Sequence, residues 1–309
     1  MKIESWRIAM GLIDKFFGRK ENKNELNQHK EENEDKDLNL EDKPTLIMVF
    51  DNLPIIDGKN LSERIEKIEK INAGVEVTAE EELNNGEALL AVIEFDDHKI
   101  KLVGFNAPLP DDVINYTVDC SYWKPEDKDN IRNHKAHIIC YYDGQNLDPS
   151  EKYIALYKVI YGFKEKGLVG IINEDAWTCQ PAYVVEDLVT KEMLMESREV
   201  PPLMLWTNFI KMPMEYGTWM FTKGNHIFGV NDFAYLGDIK EASEINEIFN
   251  NIFYYIYENQ AIVESGHTLQ IEEEVYLKFR DVYREKEYLE SPLGTLVIEK
   301  INESEINKK

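Results

Sequence analysis

The chain has 309 residues, 43% of them hydrophobic and 11% aromatic, enough for one large domain or two of ordinary size. Its formal net charge of −24 repels nucleic-acid phosphate and argues against DNA or RNA as a partner. No apolar run reaches the roughly eighteen residues needed to cross a bilayer. Three cysteines (Cys120, Cys140, Cys179), in no metal-like spacing, suggest neither a disulfide framework nor a metal centre.

The first twenty residues carry a net charge of +3. Within residues 1–19, the stretch 4–19 places Trp6, Ile8, Ala9, Leu12, Ile13, Phe16 and Phe17 mostly on one side of a helix. Such a basic amphipathic helix docks on its own protein or on a partner; contact with a membrane surface is the alternative. It has no small-residue cleavage site, so a secretory signal is not expected and a cytoplasmic location is. Met10 is an alternative start, without the Ser or Thr that myristoylation requires. Residues 20–43 hold almost no large apolar groups, and residues 21–43 carry a net charge of −5, which predicts a disordered acidic tether. The remaining −22 falls on residues 44–309, so the folded part is itself acidic.

Residues 44–147 read as a first α+β unit. Thr45–Phe50 suits a central strand. Leu61, Ile65, Ile68 and Ile71 recur at helical spacing, behind Asn60 or Ser62 as a cap. Ala88–Phe95 and Lys99–Phe105 predict a hairpin, Asp111–Cys120 a helix after Pro110, and Ala136–Tyr142 another strand. The order β-α-β-β-α-β is that of a ferredoxin-like unit. Residues 148–309 loosely repeat this grammar, with helices over Glu151–Lys164, Tyr183–Met195 and Ile239–Asn259. Strands are expected at Gly167–Asn173, Leu203–Ile210, Thr218–Thr222, Leu269–Tyr276 and Gly294–Ile301. The expectation is an α+β protein with two antiparallel or mixed sheets, a divergent duplication being one reading.

The densest chemistry lies in Gly217–Gly237, where Trp219, Phe221, Phe228, Phe233 and Tyr235 alternate with four glycines and with Lys223, Asn225, His226, Asn231 and Asp232. Aromatics supply rigid contact area and glycines let backbone approach closely. A histidine near a carboxylate suits acid–base work or anion binding. Trp206, Trp219, Lys223, Asn225, His226 and Asp232 are therefore the candidate ligand-binding residues. Against this stands the plainer reading of the segment as turns and core. Thr222-Lys-Gly224 is not a phosphate loop, since lysine precedes glycine and the earlier glycine is missing. His134 and His137 are three apart on or beside a strand, on opposite faces, and cannot easily share a metal. Cys179 has no identifiable histidine partner and reads as a buried structural thiol. Glu272–Glu274 read as a solvated face. No catalytic residue, metal or cofactor is assigned.

His134-Lys-Ala-His137-Ile, the Gly217–Asp232 segment, the helix over 239–259 and the closing strands over 269–301 together resemble the bacterial family DUF4261, a domain of unknown function. The resemblance would extend over residues 45–301. It implies no known activity; related uncharacterised groups are associated with toxin immunity, which by analogy points to a binding protein. The expected function is a non-enzymatic, immunity-type or defence-associated factor whose acidic surface engages a basic, toxin-like protein. A small-molecule site or enzyme around Trp219, Lys223, His226 and Asp232 is the alternative.

Overall fold

The first strand shows how the sequence divides its core. In Thr45–Phe50 (β1), Leu46, Met48 and Phe50 enter one apolar cluster, and Ile47 and Val49 enter another on the opposite face. The structure is a computed structural model and describes residues 43–306, except 69, 70, 72, 73, 192, 199, 200, 202, 204, 273, 274, 284 and 285. The amphipathic helix expected over 4–19 and all but the last residue of the tether lie outside the described residues. Those described belong to one compact unit.

β1 is central in a seven-stranded sheet with β2 (Glu76–Ala79), β3 (Ala88–Phe95), β4 (His98–Phe105), β5 (Ala136–Tyr142), β6 (Leu168–Asn173) and β7 (Thr178–Pro181). The order is β2-β3-β4-β5-β1-β6-β7, antiparallel throughout. The predicted hairpin is present and one residue tighter, with Phe95 opposite His98 and Asp96 at φ 50° in the turn. Helix α1 (Gly58–Glu66) starts one turn earlier than a cap at Asn60 would allow: Asp57 is the cap, its carboxylate accepting from the Asn60 N–H at 3.1 Å.

The ferredoxin-like unit is not formed. A split β-α-β unit leaves one strand between β1 and the next long strand, whereas here both β5 and β4 separate β1 from β3. The cause is competition for the edges of β1, which are taken by β5 (Met48 opposite Ile138) and β6 (Met48 opposite Ile171). The hairpin is left to dock on β5. Because β6 and β7 belong to this sheet, it runs past residue 147, and the change of sheet falls between Pro181 and Asn208.

One face of the first sheet is covered by α2 (Asp111–Asp119) and α3 (Pro125–Arg132), through Ile114, Val118 and Ile131. The other packs on α1 and on α4 (Pro149–Tyr161), a helix buried along most of its length. After α5 (Ala182–Thr190) and the short α6 (Met193–Glu196), the chain enters a second sheet: β8 (Asn208–Met214), β9 (Gly217–Lys223), β10 (Asp232–Gly237), β11 (Thr268–Glu272), β12 (Val275–Asp281) and β13 (Thr295–Asn302). Its order is β11-β12-β13-β10-β9-β8, with β10 and β13 parallel. It does not repeat the first sheet. The single strand expected over Leu269–Tyr276 is two antiparallel strands, Leu269 lying opposite Leu277.

Helix α7 (Ala242–Asn259) follows a 3-10 turn capped by Asp238 and packs Ile245, Phe249, Ile252, Phe253 and Ile256 into the main core. That core spans both sheets. At its centre Trp206 stacks on Tyr153 of α4 (4.8 Å, 14°) and on Phe228 (6.2 Å, 13°), and Phe228 meets Phe253 of α7 edge-on. The far face of the second sheet holds Trp219, Phe221 and Val297 under Leu289 of the short helix α8 (Lys286–Leu289).

Candidate functional site

The Gly217–Gly237 segment folds as β9, a 3-10 turn over Asn225–Phe228, and β10. Glycines make the turn possible: Gly224 (φ +98°) and Gly229 (φ +72°) bracket it in the left-handed region. Gly224 also permits close approach, because a Cβ there would lie 2.9 Å from the Trp206 carbonyl oxygen.

Three buried polar side chains tie this connection together. The Thr222 hydroxyl donates to Asp232 Oδ1 (3.0 Å) and accepts from the Phe233 N–H (2.8 Å) and from Asn225 Nδ2 (3.1 Å). Asn225 also donates from its N–H to Asp232 Oδ1 (3.3 Å) and from Nδ2 to the Asn231 carbonyl (3.2 Å). The knot replaces, inside the protein, hydrogen bonds that water would otherwise supply.

Lys223, on the other side of β9 from Thr222, is buried beneath the segment that follows α8. Its ammonium donates to the Glu290 carbonyl and lies 4.6 Å from the centre of the Trp177 ring. Burial holds its pKa below the ordinary lysine value, against the raising effect of the Asp232 and Glu290 charges. Asp232 is fully buried, and burial raises its pKa; Ser291, Lys223, His226 and Thr222 act in the lowering direction. Ser291 is thus close enough to act on the carboxyl, yet neither its hydroxyl nor Asp232 Oδ2 has a partner in hydrogen-bond geometry among the described residues. His226 has a side chain only 6% exposed, with Nε2 3.8 Å from Asp175 Oδ1 and both ring nitrogens without a hydrogen bond.

Of the six candidate residues, the structure brings Lys223, Asn225, His226 and Asp232 around one turn. It separates the two tryptophans. Trp206 belongs to the core shared by the sheets, while Trp219 alternates with Met220 onto the far face, against Tyr288. They cannot form two walls of one pocket. A cavity of about 300 Å³ lies over Leu289, Glu290, Ser291 and Thr295, next to the carbonyl that Lys223 holds, and none of the six lines it. The grouped polar side chains therefore face protein.

The other reactive types are similarly occupied. His134 accepts from the Leu109 N–H at Nε2 (2.9 Å) and donates from Nδ1 to the Ile131 carbonyl (2.7 Å), which assigns it a neutral tautomer. His137 Nδ1 reaches the Ala107 carbonyl at 2.7 Å, so the two histidines pin the 107–109 loop. Among the described residues, no group of three or more His, Cys, Asp or Glu is placed to hold a metal. Cys140 and Cys179 are buried, and burial pushes the Cys179 thiol up to about 11.

An open concavity lies elsewhere, in a place not anticipated from the sequence. A groove of about 420 Å³ runs between α7 and β11, lined by Glu244, Glu247, Ile248, Ile252, Tyr255 and Leu269 among others. A second hollow of about 400 Å³ shares Ile252, Tyr255 and Leu269 with it and continues toward Ile262 and His267. Local spacing did not mark it: on that face of α7 the exposed Glu244, Glu247, Asn251 and Tyr255 surround the buried Ile252.

These features define an α+β protein of two sheets around a shared helical core, with a sealed polar turn and an open groove. Residues 221–299 match the family model described as Domain of unknown function (DUF4261). The match takes in the turn, α7 and the closing strands, but is narrower than the expected 45–301 and omits His134 and His137. No curated protein and no solved structure matches the chain.

Proposed function

We propose that the protein is a non-enzymatic, cytoplasmic binding protein that engages a basic protein partner through its acidic surface. The observation that carries this reading is the groove between α7 and β11, apolar along Ile248, Ile252, Tyr255 and Leu269 and bordered by Glu244 and Glu247. Apolar contact with an acidic border suits a cationic amphipathic segment, and the net charge of −24 would speed its approach. An immunity-type or defence role, with a toxin-like partner, accords with that mode of action. Among the described residues no helix is long and apolar enough to cross a membrane, which is compatible with the proposed location.

The test is calorimetric titration with a capped (Val-Lys)4 peptide against the protein and against a Glu247→Lys/Tyr255→Lys variant, both sites being exposed. The expected result is binding to the protein and a loss of about tenfold or more in the variant, corresponding to about 1.4 kcal/mol. Equal affinity for the two, or none for either, overturns the reading.

The alternative, a small-molecule site or enzyme, draws on the unpartnered Asp232 Oδ2 and His226 ring nitrogens. It requires the segment over Lys223 to open. Protection of the Glu290, Ser291, Leu293 and Gly294 amides against hydrogen exchange equal to that of β9 would sink it.

A further inference from the structure

An asparagine side chain is most open to attack by its own backbone when glycine follows, because no side chain then shields the next amide nitrogen. Residues 85 and 86 form the one Asn-Gly pair in the sequence. They lie in the connection between β2 and β3, where Asn85 is exposed and Gly86 sits at φ +85°. Among the described residues no acceptor takes the Gly86 N–H.

The Asn85 amide is held at both ends. Its Oδ1 accepts from the N–H groups of Glu87 (2.9 Å) and Ala88 (3.2 Å), and its Nδ2 donates to the Glu82 carbonyl (2.9 Å). Two N–H donors on one carbonyl oxygen draw electrons away from Cγ. They also stand ready to hold the negative charge that an attack on Cγ places on that oxygen. Asn84, next door, is placed differently. It accepts from the Ile56 N–H (2.8 Å), donates to the Ile56 carbonyl (2.7 Å) and is followed by a residue with a side chain.

The geometry points to Asn85 as a self-modification site whose co-reactant is water. The Gly86 nitrogen gives its proton to hydroxide and attacks Asn85 Cγ. The N–Cγ bond forms, the Cγ–Nδ2 bond breaks, and the amine takes a proton from water and leaves as ammonia, which regenerates the hydroxide. Water then opens the cyclic imide at either carbonyl, to aspartate or to an isoaspartyl residue; nothing is oxidised or reduced. Either product carries a carboxylate where Nδ2 had donated to the Glu82 carbonyl, so a hydrogen bond becomes a repulsion, among the exposed Glu81, Glu82 and Glu87. The isoaspartyl form also routes the main chain through the former side chain, adding a methylene between Asn84 and β3. The Asn84 latch on Ile56 is the neighbouring contact that this lengthening disturbs.

The test incubates the full chain at neutral and at mildly alkaline pH beside a synthetic peptide of residues 80–90, and locates conversion by fragment mass spectrometry. Asn85 is expected to gain the mass of an amide-to-acid change before any other asparagine, within the time the peptide takes to convert completely. Conversion is expected to be faster at the higher pH, because the attacking nitrogen must lose a proton. An intact Asn85 at that time, another asparagine converting first, or a rate indifferent to pH overturns the assignment. The isoaspartyl fraction, separated by ion exchange, should show faster hydrogen exchange at the Ile56 amide than the unmodified protein. Equal exchange there overturns the loosening of the Asn84 latch.

Discussion

Asn225 and Thr222 are joined side chain to side chain, Nδ2 to Oγ1, at 3.1 Å, and both also hold Asp232 Oδ1. The turn between β9 and β10 is therefore closed from the inside by a hydrogen-bonded triangle. Asn225→Ala removes two side-chain donors and leaves the Asn231 carbonyl unpaired at that position. The expected cost is about 1–3 kcal/mol, read as a lower urea midpoint with an unchanged slope.

The two turn glycines separate backbone strain from lack of space. Gly229 has positive φ but nothing within 4 Å of where an added methyl would sit, whereas at Gly224 the methyl would meet the Trp206 carbonyl at 2.9 Å. Gly229→Ala is expected to cost about 1–2 kcal/mol from conformation alone. Gly224→Ala adds the collision and is expected to cost visibly more in the same urea titration. Equal effects would contradict the packing described around Trp206.

Asp232 gives stability a pH dependence opposite to that of an ion-paired carboxylate. Its folded pKa is raised by burial, so in the window between the ordinary carboxylate value and the raised one the folded state binds more protons than the unfolded state. Its contribution is fully present below the unfolded pKa and is lost as pH rises through the folded pKa. The slope cannot exceed about 1.4 kcal/mol per pH unit. The stability difference between the protein and Asp232→Asn should accordingly move against the native protein as pH is raised from acid toward neutral. Paired urea titrations across that range measure it.

Cys140 and Cys179 should be inert toward Ellman's reagent in the folded protein, because both are buried and their thiols are held protonated. Only the half-buried Cys120 is expected to react before unfolding, and that slowly, since burial raises its pKa as well. Three thiols reacting at once in native buffer would refute the burial of the two strands that carry Cys140 and Cys179.

Periodicity made the elements legible where each side chain's fate depends on near neighbours. Leu46, Met48 and Phe50 announce β1, and the stripe from Ile245 to Ile256 announces α7. Pairing depends on what competes for an edge, and nothing local to Thr45–Phe50 says that β6 will take the second side of β1. That is why a ferredoxin-like order looked natural and did not form. The candidate site was half legible for a related reason. Lys223, Asn225, His226 and Asp232 are close in sequence and meet at a turn. Trp206 and Trp219 are parted by strand alternation and by the division into two cores. The groove was illegible because its walls, α7 and β11, come together only once the sheet is assembled.

The parallel pair β10–β13 sets an order of events during synthesis. Asp232, Phe233 and Ala234 find their outer neighbours in Thr295, Leu296 and Val297, after α7 and the β11–β12 hairpin have been made. Until those last residues leave the ribosome, β10 has β9 on one side only, and the strand bearing buried Asp232 is an open, adhesive border. A premature stop before Thr295 would therefore do more than remove a terminal strand. It would leave the nascent chain exposed at its middle, as a substrate for chaperones or proteases.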